Sequence, residues 1–344
     1  MACIQQDLFR KLAEGTGIDV DSYPKIRISL TEEQFDLVAH EIKIVQSYVF
    51  SKEIVFVLLS CSGKYYFMYT GLDLAMPKGD VEAIDNKVEL SLYMVAEGPS
   101  SRIDVTKEKL ENNIFTDTDV ADLDWDTDVS YFFPLIQTHV IKAPLGMSER
   151  ERIYFLKTMA LNALCLNSQV LVLSFNSHTI QCYNNVAICG NREIPIDNIL
   201  RSLGSNYWKF CFIDIYRCIE RLLLIGWVQM YHQDNILNRL PPNDLYTSLY
   251  TTLKVEHHEK ENIAYLFKKL PTSLTSMLDP LRNGENYDKY IYELRNKLVH
   301  YQKDEKDIDA IDEKEWNIII QFMLKATIDL YQQLDPYIKQ LPTL

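Results

Sequence analysis

Tyr292-Glu293-Leu294-Arg295-Asn296-Lys297-Leu298-Val299-His300-Tyr301 is the stretch from which the rest of the chain is best read. Tyr287, Ile291, Leu294, Leu298 and Tyr301 recur at steps of four and three, so the segment predicts a helix with one apolar face. At about 100° per residue, Glu293, Asn296 and His300 share a stripe on the opposite side, and Arg295 falls on a flank between the two. Arg295 brings a permanent positive charge and a fork of donors that suits phosphate. His300 can take and give a proton near neutral pH. Together they hold the chemistry for cutting a phosphodiester without a metal. They point about 140° apart around the axis, so one straight helix does not aim both at one phosphate. Two copies facing each other across a two-fold axis would.

The surroundings are helical from residue 204 onward. Gly204-Ser205 precedes a predicted long helix, 206–231, with Phe210, Ile213, Cys218, Leu222, Ile225 and Val228 mostly as core. A polar stripe of Asp214, Arg217 and Arg221 crosses it, with Glu220 beside them. Pro241-Pro242 breaks the chain. Shorter helices are expected over 243–253 and 260–270, and Asn283-Gly284 marks a turn before the motif helix. A charged loop, 303–312, then leads to a last helix over about 313–336 that packs through Trp316, Ile319, Phe322, Met323, Ala326 and Leu330. Four or five such helices with apolar stripes predict an up-and-down bundle spanning 204–344.

Residues 1–203 mix strands and helices, which makes the fold class α+β. The segment 25–30 alternates as a half-buried strand does. Thr31-Glu32-Glu33-Gln34 has capping-box form and opens a helix expected to reach Tyr48. The runs 54–59 and 64–69 flank Ser62-Gly63 as a hairpin, and Val88, Leu90, Leu92 and Met94 alternate as another strand. Ser148-Glu149-Arg150-Glu151 opens a second helix, to about Leu164. A second hairpin is expected from 170–175 and 178–183, turning at Asn176-Ser177, with a short strand at 186–189. The repeated order of a helix and two strands hints at a duplication.

Arg295-Asn296-x-x-x-His300 resembles the signature of HEPN domains, all-helical modules that include many metal-independent RNases. With 12 arginines and 7 histidines in 344 residues, one fixed Arg–His spacing arises by chance roughly 0.24 times. Asn directly after Arg lowers this about twentyfold. Tyr216-Arg217-Cys218-Ile219-Glu220 also looks like the first-helix pattern of several HEPN families. The resemblance implies catalysis by Arg295, His300 and Asn296, with Glu293, Glu220 or Asp214 in support, and a composite site at a homodimer seam. It implies an RNA substrate, no cofactor and no metal, and a toxin or phage-defence role with a protein antitoxin or a phage-derived trigger as partner. HEPN domains also serve as non-catalytic binding or dimerisation modules, and that reading stands beside the first. One HEPN toxin subgroup carries Tyr two positions after the His; here Gln302 stands there, so the resemblance does not extend to that subgroup.

Composition sets the remaining bounds. The net charge of −13 opposes non-specific nucleic-acid binding, but residues 206–344 carry 17 Lys+Arg against 20 Asp+Glu, so most of the acidity lies before them. Seven cysteines without a CxxC pair point to a reduced, cytoplasmic setting and against zinc. No basic start with a long apolar core opens the chain, and the apolar stretch 210–230 is interrupted by charges, so neither a leader nor a membrane span is expected. Asp117, Asp119, Asp122, Asp124, Asp126 and Asp128 lack the Gly and Glu of a calcium loop and read as a solvated acidic loop. His139 and His178 read as sheet-face residues.

Overall fold

A computed structural model describes residues 2–14, 16–19, 25–28, 30–73, 81–97, 105–113, 120–123, 130–142, 148–233, 241, 243–244, 246–247, 259–299 and 311–340. His300, the acidic residues Asp117, Asp119, Asp124, Asp126 and Asp128, and most of the expected loop 303–312 and of the expected helix 243–253 lie outside them. Helices and an antiparallel sheet coexist, so the chain is α+β. It divides into two compact units, 1–167 and 168–344. Residues 168–203, read from sequence with the first part, therefore belong to the second unit.

The first unit is built on a five-stranded antiparallel sheet. Its strands are β2 (Lys43–Val49), β3 (Val55–Cys61), β4 (Lys64–Thr70), β5 (Val81–Ile84) and β7 (Ile136–Ile141), in the order β2-β3-β4-β7-β5. β1 (Lys25–Ile28) pairs in parallel with β6 (Val120–Leu123), which contains Asp122. Ser62 and Gly63 both have positive φ and close the β3–β4 hairpin opposite the Cys61–Lys64 pair. This turn matches the twist of the strands it joins. One sheet face, with Val55, Val57, Leu59 and Met68, packs with Leu8 and Leu12 of α1 (Ala2–Ala13) and Leu90 and Met94 of α3 (Val88–Glu97). α2 (Glu32–Asp36), α4 (Lys107–Asn113) and α5 (Glu149–Leu166) complete the unit.

Two expectations change here. The helix opened by the Thr31 capping box ends after a π turn, Leu37–Glu41, and Lys43 begins a strand. Residues 88–94 form a helix, not a strand. Leu90, Ser91, Leu92, Met94 and Val95 are all buried, so this helix is covered on every side and its apolar residues imitate a strand's alternation.

His139 does lie on a strand, and it is fully buried. It stacks on Tyr69 with ring centroids 5.4 Å apart. Neither ring nitrogen has a hydrogen-bond partner among the described residues. Burial pulls its pKa below the ordinary histidine value. The unfolded chain therefore binds a proton below about pH 6.5 that the folded state refuses. The stability this neutral histidine allows is complete above that pH and declines as pH falls through it. His139→Phe should raise the urea midpoint of the first unit and weaken its loss between about pH 7 and pH 5. Equal midpoints and equal pH slopes for the two proteins would refute this.

The described residues of the second unit form helices joined by turns, with no strand among them. Its spine is the last helix, Glu313–Ile338, capped by the Asp312 box. α6 (Ser177–Ile188), α8 (Trp208–Glu220) and α9 (Leu223–Gln233) pack on that spine, and α7 (Ile196–Leu203) packs on α8. The second hairpin does not exist: Asn176, read as a turn residue, caps α6 by accepting from the Thr179 amide, and 186–188 continue the helix. The duplication falls with it. The expected helix 206–231 breaks between Glu220 and Leu223. Phe210 is 52% exposed, not core; Cys211, Phe212, Ile215 and Tyr216 do that packing. α10 (Glu259–Phe267), α11 (Thr272–Thr275) and α12 (Tyr287–Val299) precede the spine, which is thus α13. Asn283 and Gly284, at φ 47 and 83, form the turn before α12.

Candidate functional site

The motif helix α12 packs on α8 and α10. Ile291 and Leu294 are its buried contacts, and Tyr287 and Leu298 are half-buried beside them. This seating turns Arg295 toward the ends of both neighbouring helices. Its Nη2 lies 3.1 Å from Oε1 of Glu220, the last residue of α8. The same nitrogen lies 3.3 Å from Oε1 of Glu259, the first residue of α10. Nη1 donates to Asn296 Oδ1 at 2.9 Å. The guanidinium sits 5.7 Å from the centroid of the Tyr216 ring, and the Tyr216 hydroxyl donates to Glu259 Oε1 at 2.9 Å. Arg295 is 18% exposed in its side chain, so the cluster is sheltered but open to solvent on one side.

The electrostatics follow from these contacts. Burial alone would lower the Arg295 pKa, but Glu259, the Glu220 hydrogen bond and Tyr216 outweigh it and the net shift is upward. Burial first, then Glu259 and its hydrogen bond, push the Tyr216 hydroxyl well above the ordinary tyrosine range. Tyr216 is therefore a fixed donor and not a base near neutral pH. One guanidinium faces two carboxylates, so the cluster is negative by one charge. An incoming phosphate must displace a carboxylate or meet a charge already shared.

The other residues singled out from sequence separate. Glu293 pairs with Lys289 at 3.5 Å and lines a cavity of about 640 Å³ on the opposite flank of α12, with Tyr290, Lys297, Arg282 and Glu315. Burial and Glu315 push the Tyr290 hydroxyl up to about 12. Asp214 engages Arg217 at 3.1 Å and Arg201 at 3.9 Å, away from the Arg295 cluster's own contacts. His300 lies outside the described residues, so its distance to Arg295 is not part of this geometry.

Sequence spacing does not mark two members of the cluster as site residues. Glu259 is 36 residues before Arg295 and opens a helix, where a carboxylate reads as an ordinary N-terminal charge. Tyr216 stands within the quoted first-helix pattern, but the spacing of its neighbours marks it simply as core. Burial pushes the Cys165, Cys211 and Cys218 thiols up to about 12, so none of these is a ready nucleophile. Among the described residues no three His, Cys, Asp or Glu side chains are placed to hold a metal ion, and no helix is long and apolar enough to cross a membrane. No protein-family model, curated protein or solved structure matches the chain.

Proposed function

We propose that the helical unit is a metal-independent endoribonuclease of HEPN type, acting as a toxin or phage-defence effector. The observation that supports it is the grouping at Arg295: a partly open guanidinium, oriented by Asn296 from its own helix and Glu220 from α8. In this mechanism His300 takes the proton of the ribose 2′-OH or gives one to the leaving 5′-oxygen. Arg295 neutralises charge building on the phosphate. The P–O5′ bond breaks as the 2′-oxygen bonds to phosphorus, leaving a 2′,3′-cyclic phosphate and a 5′-OH. The reading includes a closed homodimer through the helical unit, because a helical spacing of five residues in the sequence would set Arg295 and His300 about 140° apart. A protein antitoxin or a phage-derived trigger would then govern it.

A second reading has its own observation. Arg295 joins α12 to α8 and α10 through two carboxylates, as a residue that only ties helices together would. On that reading the unit is a non-catalytic interaction module. Cleavage of RNA by the full chain in excess EDTA separates the two. The nuclease should release 5′-OH ends and should bind but not cut a substrate with deoxyribose at the scissile position. Activity abolished by EDTA and restored by magnesium, or no activity at all, would overturn the nuclease reading.

A further inference from the structure

The exposed face of α8 begins with two aromatic side chains in water. Tyr207, the N-cap residue, is 62% exposed and Phe210 is 52% exposed. Their rings meet edge to face, with centroids 5.9 Å apart. Lys209 Nζ lies 4.9 Å from the Phe210 centroid and 5.9 Å from that of Tyr207. Packing does not require this arrangement, because the next two residues, Cys211 and Phe212, are fully buried and anchor the same turn.

Beyond the rings the face is basic. At about 100° per residue, Lys209, Phe210, Arg217, Glu220 and Arg221 fall within about 120° of arc. Arg201 reaches the same region from α7 and shares Asp214 with Arg217; the two arginines are 58% and 56% exposed. At the far end Glu220 meets Arg295. On α8 itself and at its C-cap, Lys209, Arg217 and Arg221 outnumber Asp214 and Glu220 in a chain of net charge −13, whereas Arg201 has Asp197 one turn before it and Arg295 faces two carboxylates. Phe210 and Arg221 are separated by about 16 Å along the helix, room for a few nucleotides.

We propose that Tyr207, Phe210 and Lys209 form a stacking platform for an unpaired base of single-stranded RNA, whose backbone follows the basic face of α8 toward Arg295. Rings offer a sequence-tolerant surface to a base, and the adjacent cations suit the phosphates. A duplex keeps its bases inside and does not satisfy the rings. The choice of RNA over another polyanion rests on the nuclease reading.

The test is binding by the full chain, followed as fluorescence anisotropy of a labelled single-stranded 2′-O-methyl oligoribonucleotide. The Tyr207→Ala/Phe210→Ala double variant should bind about tenfold or more weakly. Phe210→Leu keeps apolar bulk but removes the ring face, and should also weaken binding; Phe210→Trp should preserve it. An abasic oligomer should bind wild type only as weakly as the double variant does. Lys209→Gln should lower the salt dependence of binding. Wild type that does not bind the oligomer, Phe210→Leu that binds as wild type does, or equal affinity for the abasic strand would overturn the proposal. Binding that depends on the rings, in a protein that cuts no RNA, would sink the nuclease reading alone. Cutting that persists with binding indifferent to the rings would sink the platform alone.

Discussion

Alanine at His300 should slow RNA cleavage in excess EDTA by about 10²-fold or more, the usual worth of a general acid or base. The wild-type rate should show a bell or shoulder at about pH 6 to 7.5, and the variant should lose it. Arg295→Ala should cost a comparable factor in rate, with a second consequence that His300→Ala is not expected to share. Removing the guanidinium takes the cation from both Glu220 and Glu259 and leaves Glu259 the Tyr216 hydroxyl as donor. The site is partly solvated, which screens the penalty, so a loss of about 1–2 kcal/mol is expected. Arg295→Lys should remain impaired, because lysine keeps the charge but not the fork that spans Asn296 and Glu220. Glu259→Gln is the discriminating variant. It removes one of two negative charges from the cluster, so a phosphate-binding Arg295 should cut faster at low substrate concentration. A lower melting temperature with an unchanged rate would assign Glu259 and Arg295 to holding helices together. Initial rates and calorimetry on the same preparations decide the matter.

The largest effect on stability is expected at Asn317, a 3% exposed residue of α13. Its Oδ1 accepts from the Asn176 amide at 2.9 Å and the Thr179 hydroxyl at 2.6 Å. Its Nδ2 donates to the Glu313 carbonyl at 2.7 Å and the Ser174 carbonyl at 3.2 Å. Gln321 closes the network by donating to Asn176 Oδ1 and Thr179 Oγ1. One side chain therefore pins the start of α6 to the spine. Asn317→Ala takes away the partner that the part-buried Asn176 amide and Ser174 carbonyl find in it and opens a small void, while the Thr179 hydroxyl can still donate to Asn176 Oδ1. A cost of about 2–4 kcal/mol follows. For a unit of this size that is a fall of about 10 °C in melting temperature. Calorimetry that finds a fall under about 3 °C would mean that water replaces the lost side chain at little cost.

Local chemistry was legible in the sequence. The Thr31, Ser148 and Asp312 caps act within four residues, and all three boxes are formed. The Thr31 and Ser148 boxes stand in the sequence as such, and the apolar pattern from Trp316 onward marks the helix that Asp312 caps. Ser62-Gly63 and Asn283-Gly284 announce turns through their tolerance of positive φ. What failed was the meaning of apolar runs. The run 170–183 is rich in residues that favour strands, yet it is irregular up to Asn176 and helical from Ser177, where Asn317 accepts from the Asn176 amide and the Thr179 hydroxyl at the start of the helix. The break at Arg221 was invisible because both flanking helices are apolar and their stripes join without a gap. At the site, Arg295 and Asn296 are neighbours on one helix and could be read together. Glu259 meets them only through the packing of α10 on α12, which no short-range spacing encodes.

The placement of residues 168–203 in the helical unit has a consequence for how the chain can be divided or transplanted. Phe175 meets Trp208 edge-on at 5.2 Å, and Trp208 stacks on Trp316 at 6.3 Å. Ile199, Leu200 and Leu203 of α7 are fully buried. A portable fragment cut at Gly204 would keep every residue of the motif and lose one wall of its own core, stripping Trp208 of the Phe175 ring that covers it. Such a piece would stick to itself and to other proteins, and any harm it did to a host cell would say nothing about RNA. A natural junction lies near Ser168, where the motif helix, its carboxylate partners and the whole of their support travel as one piece.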